Sequence, residues 1–186
     1  MSYAGIDWSM SGPSICVLPI NKKLLFTNCQ IFFSSTKKKN EKDIKNLHGF
    51  LIEPYSCDEE RFDNLSNWAI KILKANKTES VCMEGYSMGS KGQVYNIGEN
   101  GGLLKHKLWK SNISFINPPP TTVKKFFSGK GNAKKDFMFH ALVEREPECS
   151  ILPALLECKI DSSPLSDVVD SYAMLDYLLN NMNSKV

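Results

Sequence analysis

The chain has 186 residues, of which 42% are hydrophobic and 23% are charged, and its formal net charge is +3. This length suits one domain, spanning residues 1–186, with a substantial core, and the composition is that of a globular protein rather than a disordered or fibrous one. No apolar run approaches the roughly 20 residues that cross a bilayer, and the first residues lack the pattern of a secretory signal, so we expect a cytoplasmic protein.

The first half of the chain predicts three successive strands and a helix. Residues 3–7 and 14–18 read as strands joined by a turn with a Gly-Pro pair, which favours a hairpin. Residues 24–33 supply a third strand. Residues 34–46 are polar and rich in lysine, so we expect a loop there. Apolar residues recur at helical spacing over 58–75.

The second half alternates strands with helices. Together with the first half, this order predicts an α/β fold with a mixed five-stranded sheet, three antiparallel strands and then two parallel ones, flanked by helices on both faces. The predicted elements are a strand at 80–84, a helix at 93–110, a strand at 113–116, and helices at 122–127, 133–146 and from about 164 to 180.

The six cysteines are scattered along the chain without a C-x-x-C pair. Cys16 and Cys82 stand inside apolar runs and are expected to be buried as small hydrophobic residues. Neither a zinc site nor structural disulfides are expected from this spacing, and the three histidines also lack ligand spacing.

Charge is segregated along the chain. Residues 100–135 contain eight lysines and no acid, whereas residues 144–176 contain eight acids against two basic residues. This pattern indicates a basic face for a polyanion and an acidic pole. A solvated helix face beside an ordinary acidic loop is the alternative interpretation.

Four acidic residues carry most of the functional information. Asp7 and Glu84 each end a short apolar run, and Asp167 and Asp170 stand three apart at the head of an apolar helical segment. If folding gathers these carboxylates, they repel one another unless divalent cations neutralise them. Oxygen ligands select Mg²⁺ or Mn²⁺, and the chemistry of such a site is phosphodiester cleavage.

Each acid also has a simpler interpretation. Asp167 and Asp170 would stabilise a helix N-terminus by about 0.3–1 kcal/mol each. Asp7 could form a turn after a strand, and Glu84 could be a surface acid. The combination of all four favours a common site.

Several motifs carry a family resemblance. The chain resembles RuvC-type Holliday junction resolvases of the divergent kind found in bacteriophages, within the RNase H-like superfamily. The matching segments are Gly5-Ile6-Asp7, Val81-Cys82-Met83-Glu84, an L-G-x-x-x-G-like helix at 96–102, a lysine and glycine signature at 123–135, and Asp167-Val168-Val169-Asp170-Ser171-Tyr172-Ala173, which fits D-x-x-D-[AS]-x-A.

The resemblance implies an endonuclease that resolves four-way DNA junctions by paired symmetric nicks, leaving 5′-phosphate and 3′-hydroxyl ends. It implies two Mg²⁺ ions per site, replaceable by Mn²⁺, held by Asp7, Glu84, Asp167 and Asp170. Lys124 and Lys135 fall on the family's functional lysines, and Lys135 is expected to act in catalysis. Two incisions related by two-fold symmetry imply a homodimer.

A wider set of residues is expected to bind DNA. These residues are Tyr86, Lys105, Lys124, Lys125, Lys130, Lys134 and Lys135. The family places an aromatic wedge three residues after the glutamate, where this chain has Ser87, so Tyr86 is the residue expected to stack on a junction base. Residues 21–55 are longer and more basic than in the bacterial enzymes.

Three other functions are compatible with parts of the pattern. A nuclease of the same superfamily that acts on flaps, forks or RNA would use the same acids. A non-catalytic DNA-binding module would keep the fold. The sugar-kinase and actin-like ATPases also begin with a strand that ends in Asp, but they need two such domains and glycine-rich phosphate loops.

Overall fold

The computed structural model describes residues 1–85 and 94–183. Within these residues a seven-stranded mixed sheet lies between two layers of helices. The strands are β1 (Ser2–Asp7), β2 (Ser14–Pro19), β3 (Gln30–Ser35), β4 (Asp43–Ile44), β5 (Leu47–Leu51), β6 (Thr78–Met83) and β7 (Ser114–Ile116). The helices are α1 (Asp58–Ala75), α2 (Val94–Lys110), α3 (Pro120–Ser128), α4 (Lys135–Arg145), α5 (Leu152–Leu155) and α6 (Leu165–Asn183). Short 3₁₀ turns occupy Phe26–Asn28, Lys38–Asn40 and Pro147–Ile151.

The strand directions bring most strand ends to one edge of the sheet. The strand order is β4-β5-β3-β2-β1-β6-β7, and β2 runs antiparallel to both β1 and β3. Because β6 is parallel to β1, β7 to β6 and β5 to β3, the strands β1, β3, β5, β6 and β7 all point the same way. Their carboxyl ends therefore lie along one edge, which we call the carboxyl edge.

The predicted mixed sheet with helices on both faces is confirmed, but the predicted number of strands is wrong. The described residues form seven strands rather than five because β4 and β5 lie within and just after the segment predicted as a loop. β4 has only two residues, and β5 has a central Gly49 with exposed residues at its end. Such short edge strands have weak alternation.

The two faces of the sheet carry separate cores. Alternation along β2 sends Cys16 into the layer with α3, α4 and α6, and Ile15 into the layer with α1 and α2. Cys16 and Cys82 are fully buried, as predicted. Among the described residues, none of the helices combines the length and the apolar character that a membrane span requires.

Candidate active site

Asp7 and Glu84 lie side by side at the carboxyl edge. Ile6 pairs with Met83 in the parallel ladder between β1 and β6, so Asp7 and Glu84 are the next residues on neighbouring strands. Adjacent strands are about 4.8 Å apart. Side chains alternate along each strand, and therefore both carboxylates project on the face that α6 covers.

Helix α6 brings the other two acids to the same place. Its first turns carry Asp167 and Asp170, and the Oγ atoms of Ser171 and Ser14 are 3.0 Å apart. A Cβ atom at Gly5 would lie 2.2 Å from the carbonyl oxygen of Ser171, so only glycine lets α6 approach β1 this closely. The start of α6 is thereby fixed beside the end of β1.

The four carboxylates interact electrostatically. Burial raises the pKa of Asp7 well above its usual range, and the charges of Asp170, Asp167 and Glu84 raise it further. Burial also raises the pKa of Asp170 to about 7, with a further contribution from Glu84. Protons or cations must therefore compensate this cluster at neutral pH.

Hydroxyl groups hold the carboxylate of Asp167. Ser163 donates a hydrogen bond to Oδ2, and the Oγ of Ser166 donates to Oδ1 at 3.0 Å. A Cβ atom at Gly12 would lie 3.2 Å from Oδ2, so this glycine leaves room for the carboxylate. Burial raises the pKa of Asp167, whereas the two hydroxyls and Lys135 oppose that rise. The sequence motifs did not indicate Ser163, Ser166 or Gly12 as site residues.

The donor atoms of the cluster suit a hard cation, because all four side chains offer carboxylate oxygens. As the side chains stand, however, no group of three or more His, Cys, Asp or Glu residues in the described part of the chain is gathered closely enough to hold one ion. Because Mg²⁺ is commonly held by one or two carboxylates together with water and phosphate oxygens, the charge and chemistry of the site fit Mg²⁺ or Mn²⁺.

Two lysines face the acids from separate helices. Lys124 on α3 lowers the pKa values of Glu84 and Asp170, in opposition to burial, which raises both. Lys135 opens α4, and its Nζ lies 4.0 Å from Oδ1 of Asp167 and donates to the Oγ of Ser166 at 3.0 Å. These two lysines, which the resemblance singles out, are thus placed at the acid cluster.

The remaining predicted DNA-binding residues lie outside the cluster. Lys125 is exposed beside a shallow depression that Phe126 and Tyr177 also line. Lys130 is exposed, with its Nζ 4.5 Å from the ring centre of Phe137. Lys134 lies beside Lys135 at an open depression of about 810 Å³.

Lys105 and Tyr86 are the two remaining residues that are predicted to bind DNA. Lys105 is on α2, which packs on the opposite face of the sheet from α6. Its expected contact with DNA stays a prediction. Tyr86, the expected stacking residue, lies outside the described residues.

Comparison with known proteins identifies the fold. No family model and no curated protein sequence matches the chain. Among solved structures, Thermus thermophilus RuvC in complex with a Holliday junction substrate matches with a TM-score of 0.63 and 17% identity over 99% of this chain and 97% of that chain. The Fowlpox virus resolvase, in complex with Holliday junction DNA, matches with a TM-score of 0.53 and 13% identity over 98% of this chain and 99% of that chain.

A third similar structure is the yeast mitochondrial Holliday junction resolvase. Its TM-score is 0.54, with 14% identity over 99% of this chain and 84% of that chain. At such identities the likeness establishes the fold, and it extends over nearly the whole chain. The predicted resemblance is confirmed at this level: the chain has the fold of RuvC-type Holliday junction resolvases.

Proposed function

We propose that this protein is a metal-dependent endonuclease that resolves four-way DNA junctions by paired symmetric nicks. The observation that carries the proposal is the meeting of four carboxylates with Lys124 and Lys135 at one edge of a resolvase-like sheet. The similar structures of T. thermophilus RuvC and the Fowlpox virus resolvase, both in complex with Holliday junction DNA, support branched DNA as the substrate.

The acids supply a binding site for divalent cations in this proposal. Asp7, Glu84, Asp167 and Asp170 would hold two Mg²⁺ or Mn²⁺ ions. When bound, such ions lower the pKa of a water molecule and neutralise charge on the scissile phosphate. Asp7 is the central ligand, because the charges of the other three acids all act on it.

The lysines neutralise phosphate charge around the cut. Lys124 lies close enough to Glu84 and Asp170 to stabilise their ionised forms, and these are the forms that bind cations. Lys135 is half-exposed beside Asp167, where its ammonium group would stabilise charge that develops on the phosphate. Lys125, Lys130 and Lys134 would contact the DNA backbone without reading bases.

Resolution of a junction requires two incisions related by a two-fold axis, so the active form would be a homodimer. The expected products are 5′-phosphate and 3′-hydroxyl ends in nicks that a ligase seals. Sedimentation of the protein with and without junction DNA tests the dimer. A monomer in both conditions would contradict it.

The substrate test compares three end-labelled DNAs: a four-way junction, a Y-fork and a linear duplex. Each is incubated with the full-length protein in Mg²⁺ and in EDTA, and the cuts are mapped at nucleotide resolution. We expect Mg²⁺-dependent nicks at symmetric positions in opposing strands of the junction. Preferential cutting of the fork would instead indicate a flap or fork nuclease, and an intact junction would overturn the proposal.

A further inference from the structure

A lysine-rich segment follows β3. Residues 36–42, which we call the lysine loop, contain Lys37, Lys38, Lys39 and Lys42 but only one acid, Glu41. The lysines at positions 37, 38 and 39 are exposed. The segment is separate from the lysines of α3 and α4 that the proposed function uses.

The strand topology places this loop beside the acids. Because β3 is parallel to β1, its carboxyl end lies on the same edge as Asp7, two strand spacings or about 10 Å away. A Cβ atom at Gly12 would lie 3.5 Å from the carbonyl oxygen of Ser34 and 3.2 Å from Oδ2 of Asp167. The end of β3 and the acid cluster therefore flank the same glycine.

Polar contacts give the base of the loop a defined shape. Asn40 is buried, and its Nδ2 donates to the Oγ of Ser35 at 2.9 Å. The backbone N–H of Lys37 donates to the same Oγ at 3.1 Å. A Cβ atom at Gly49 would lie 1.9 Å from the carbonyl oxygen of Asn40, so β5 packs tightly against the loop.

The loop is also attached to the segment that precedes α6. The Nζ of Lys39 donates to the carbonyl oxygen of Glu157 at 3.2 Å, and the Nζ of Lys42 donates to its Oε1 at 3.0 Å. Residues 158–161, which follow Glu157, line the open depression together with Lys134 and Lys135. The lysine loop thus continues the basic surface of α4 across the carboxyl edge.

The charges around the loop leave a positive surplus. Lys38 is paired with Glu41 and Lys42 with Glu157, and both are surface ion pairs. Such surface pairs contribute little free energy, so a phosphate can compete for the lysines. Within residues 1–85 and 94–183, no ion pair or side-chain hydrogen bond holds the ammonium group of Lys37, which is exposed.

We propose that the lysine loop is a second phosphate-binding surface, which holds the backbone of a DNA arm on the opposite side of the acids from Lys124. This inference rests on the proposed nuclease function. From β6 to β3 the edge spans three strand spacings, about 15 Å, which corresponds to roughly four nucleotides of one duplex strand. Lysine ammonium groups bind phosphates as point charges, so the surface adds affinity without sequence preference.

The test compares two full-length triple variants that each lose three positive charges. Lys37→Gln/Lys38→Gln/Lys39→Gln neutralises the loop. The control, Lys22→Gln/Lys23→Gln/Lys77→Gln, neutralises exposed lysines at the opposite edge, where Met1 and Ser2 bond to Ile20 and Lys77. Affinity for a four-way junction is measured in EDTA over a series of KCl concentrations.

For the loop variant we expect the slope of log affinity against log salt to flatten by about 2 to 3, and the affinity near 0.1 M salt to fall roughly tenfold or more. The control variant should change the slope by less than about one. Equal slopes for the two variants would overturn the inference. If the loop variant does not fold, Lys37→Gln/Lys38→Gln replaces it, with an expected change in slope of about 2.

A second readout separates this inference from the proposed function. In single turnovers with Mg²⁺, the control variant should nick at the wild-type rate, whereas the loop variant should need roughly tenfold more protein to reach half of its maximal rate, because the loop is assigned to binding. If wild-type protein does not nick any branched DNA while the slope still falls in the loop variant alone, the surface stands and the nuclease proposal fails. Normal nicking by the wild-type protein, with the salt slope unchanged in the loop variant, would overturn the inference about the loop but not the nuclease proposal.

Discussion

Gly5 on β1 lies directly beneath Ser171 of α6. A Cβ atom at position 5 would be 2.2 Å from the carbonyl oxygen of Ser171 and 2.3 Å from the backbone nitrogen of Leu175. This contact sets the distance between the strand that ends in Asp7 and the helix turn that carries Asp170. The geometry of the acid cluster therefore depends on the absence of a side chain at one position.

Gly5→Ala is predicted to destabilise the protein and to abolish nicking. The added methyl group meets backbone atoms, which cannot rotate away, so the free energy of unfolding should fall by about 1–3 kcal/mol or more. Gly102→Ala is the matched control, because a Cβ atom there would meet nothing within 4 Å and alanine favours a helix. Urea unfolding measures the stability of both variants. Equal stability of the two variants would contradict the predicted contact.

Stability without divalent cations is predicted to fall as the pH rises from about 5 to about 8. An unfolded aspartate titrates near pH 3.9, whereas burial raises the pKa of Asp170 to about 7. The native state binds more protons across that window, so stability is greatest at its acidic end and is lost as the pH rises through the native pKa. The loss over this window is up to about 3 kcal/mol for this group.

Urea unfolding in EDTA at several pH values measures this dependence. Asp170→Asn should flatten it, and Mg²⁺ should restore stability at the alkaline end. Asp161→Asn, which removes an exposed acid, should keep the wild-type dependence. Stability that stays constant or rises over the window would show that the native site does not raise the pKa of Asp170.

Neighbouring lysines on α3 are predicted to differ in effect. Lys124→Ala should flatten the salt dependence of junction binding by about one phosphate. It should also move the rising limb of the pH–rate profile for nicking to higher pH, because Lys124 lowers the pKa values of Glu84 and Asp170. Lys125→Ala removes the same charge from an exposed position and should leave the profile in place. If both substitutions shift the pH–rate profile equally, Lys124 has no specific effect on the pKa values of the acids.

Ser163→Ala is predicted to raise the Mg²⁺ concentration needed for half-maximal nicking by about tenfold. The hydroxyl of Ser163 donates to Asp167, and a hydrogen bond to a charged group contributes about 1.5–3 kcal/mol. Ser162→Ala is the control, because that hydroxyl bonds to the carbonyl oxygen of Lys159 instead. A normal Mg²⁺ requirement in the Ser163 variant would exclude a role in orienting Asp167.

The sequence predicted those parts of the fold that local patterns determine. Helix α1 has its predicted bounds, 58–75, because five apolar residues recur at helical spacing. Strand β5 was not predicted, because its pairing with β3 is a long-range contact and its residues 50 and 51 are exposed. A short edge strand of this kind has little local signal.

In the site, too, local sequence patterns identified some residues, whereas others depend on the tertiary fold. The motifs identified Asp7 and Glu84, since a carboxylate at the end of an apolar run is unusual in any sequence. They did not identify the hydroxyls of Ser163 and Ser166, because serine is common and the direction of its side chain depends on the tertiary fold. Lys105 was assigned from the charge pattern alone, which does not reveal the face of the sheet on which α2 packs.

If the acid cluster holds the cations that promote DNA cleavage, Asp7→Asn should abolish nicking without weakening DNA binding. Nicking and binding of a labelled four-way junction are measured for this variant and for wild type over a series of Mg²⁺ concentrations. We expect the variant to bind the junction with nearly wild-type affinity and not to nick it at any Mg²⁺ concentration. Mg²⁺-dependent nicking by the variant at the wild-type rate would contradict the account.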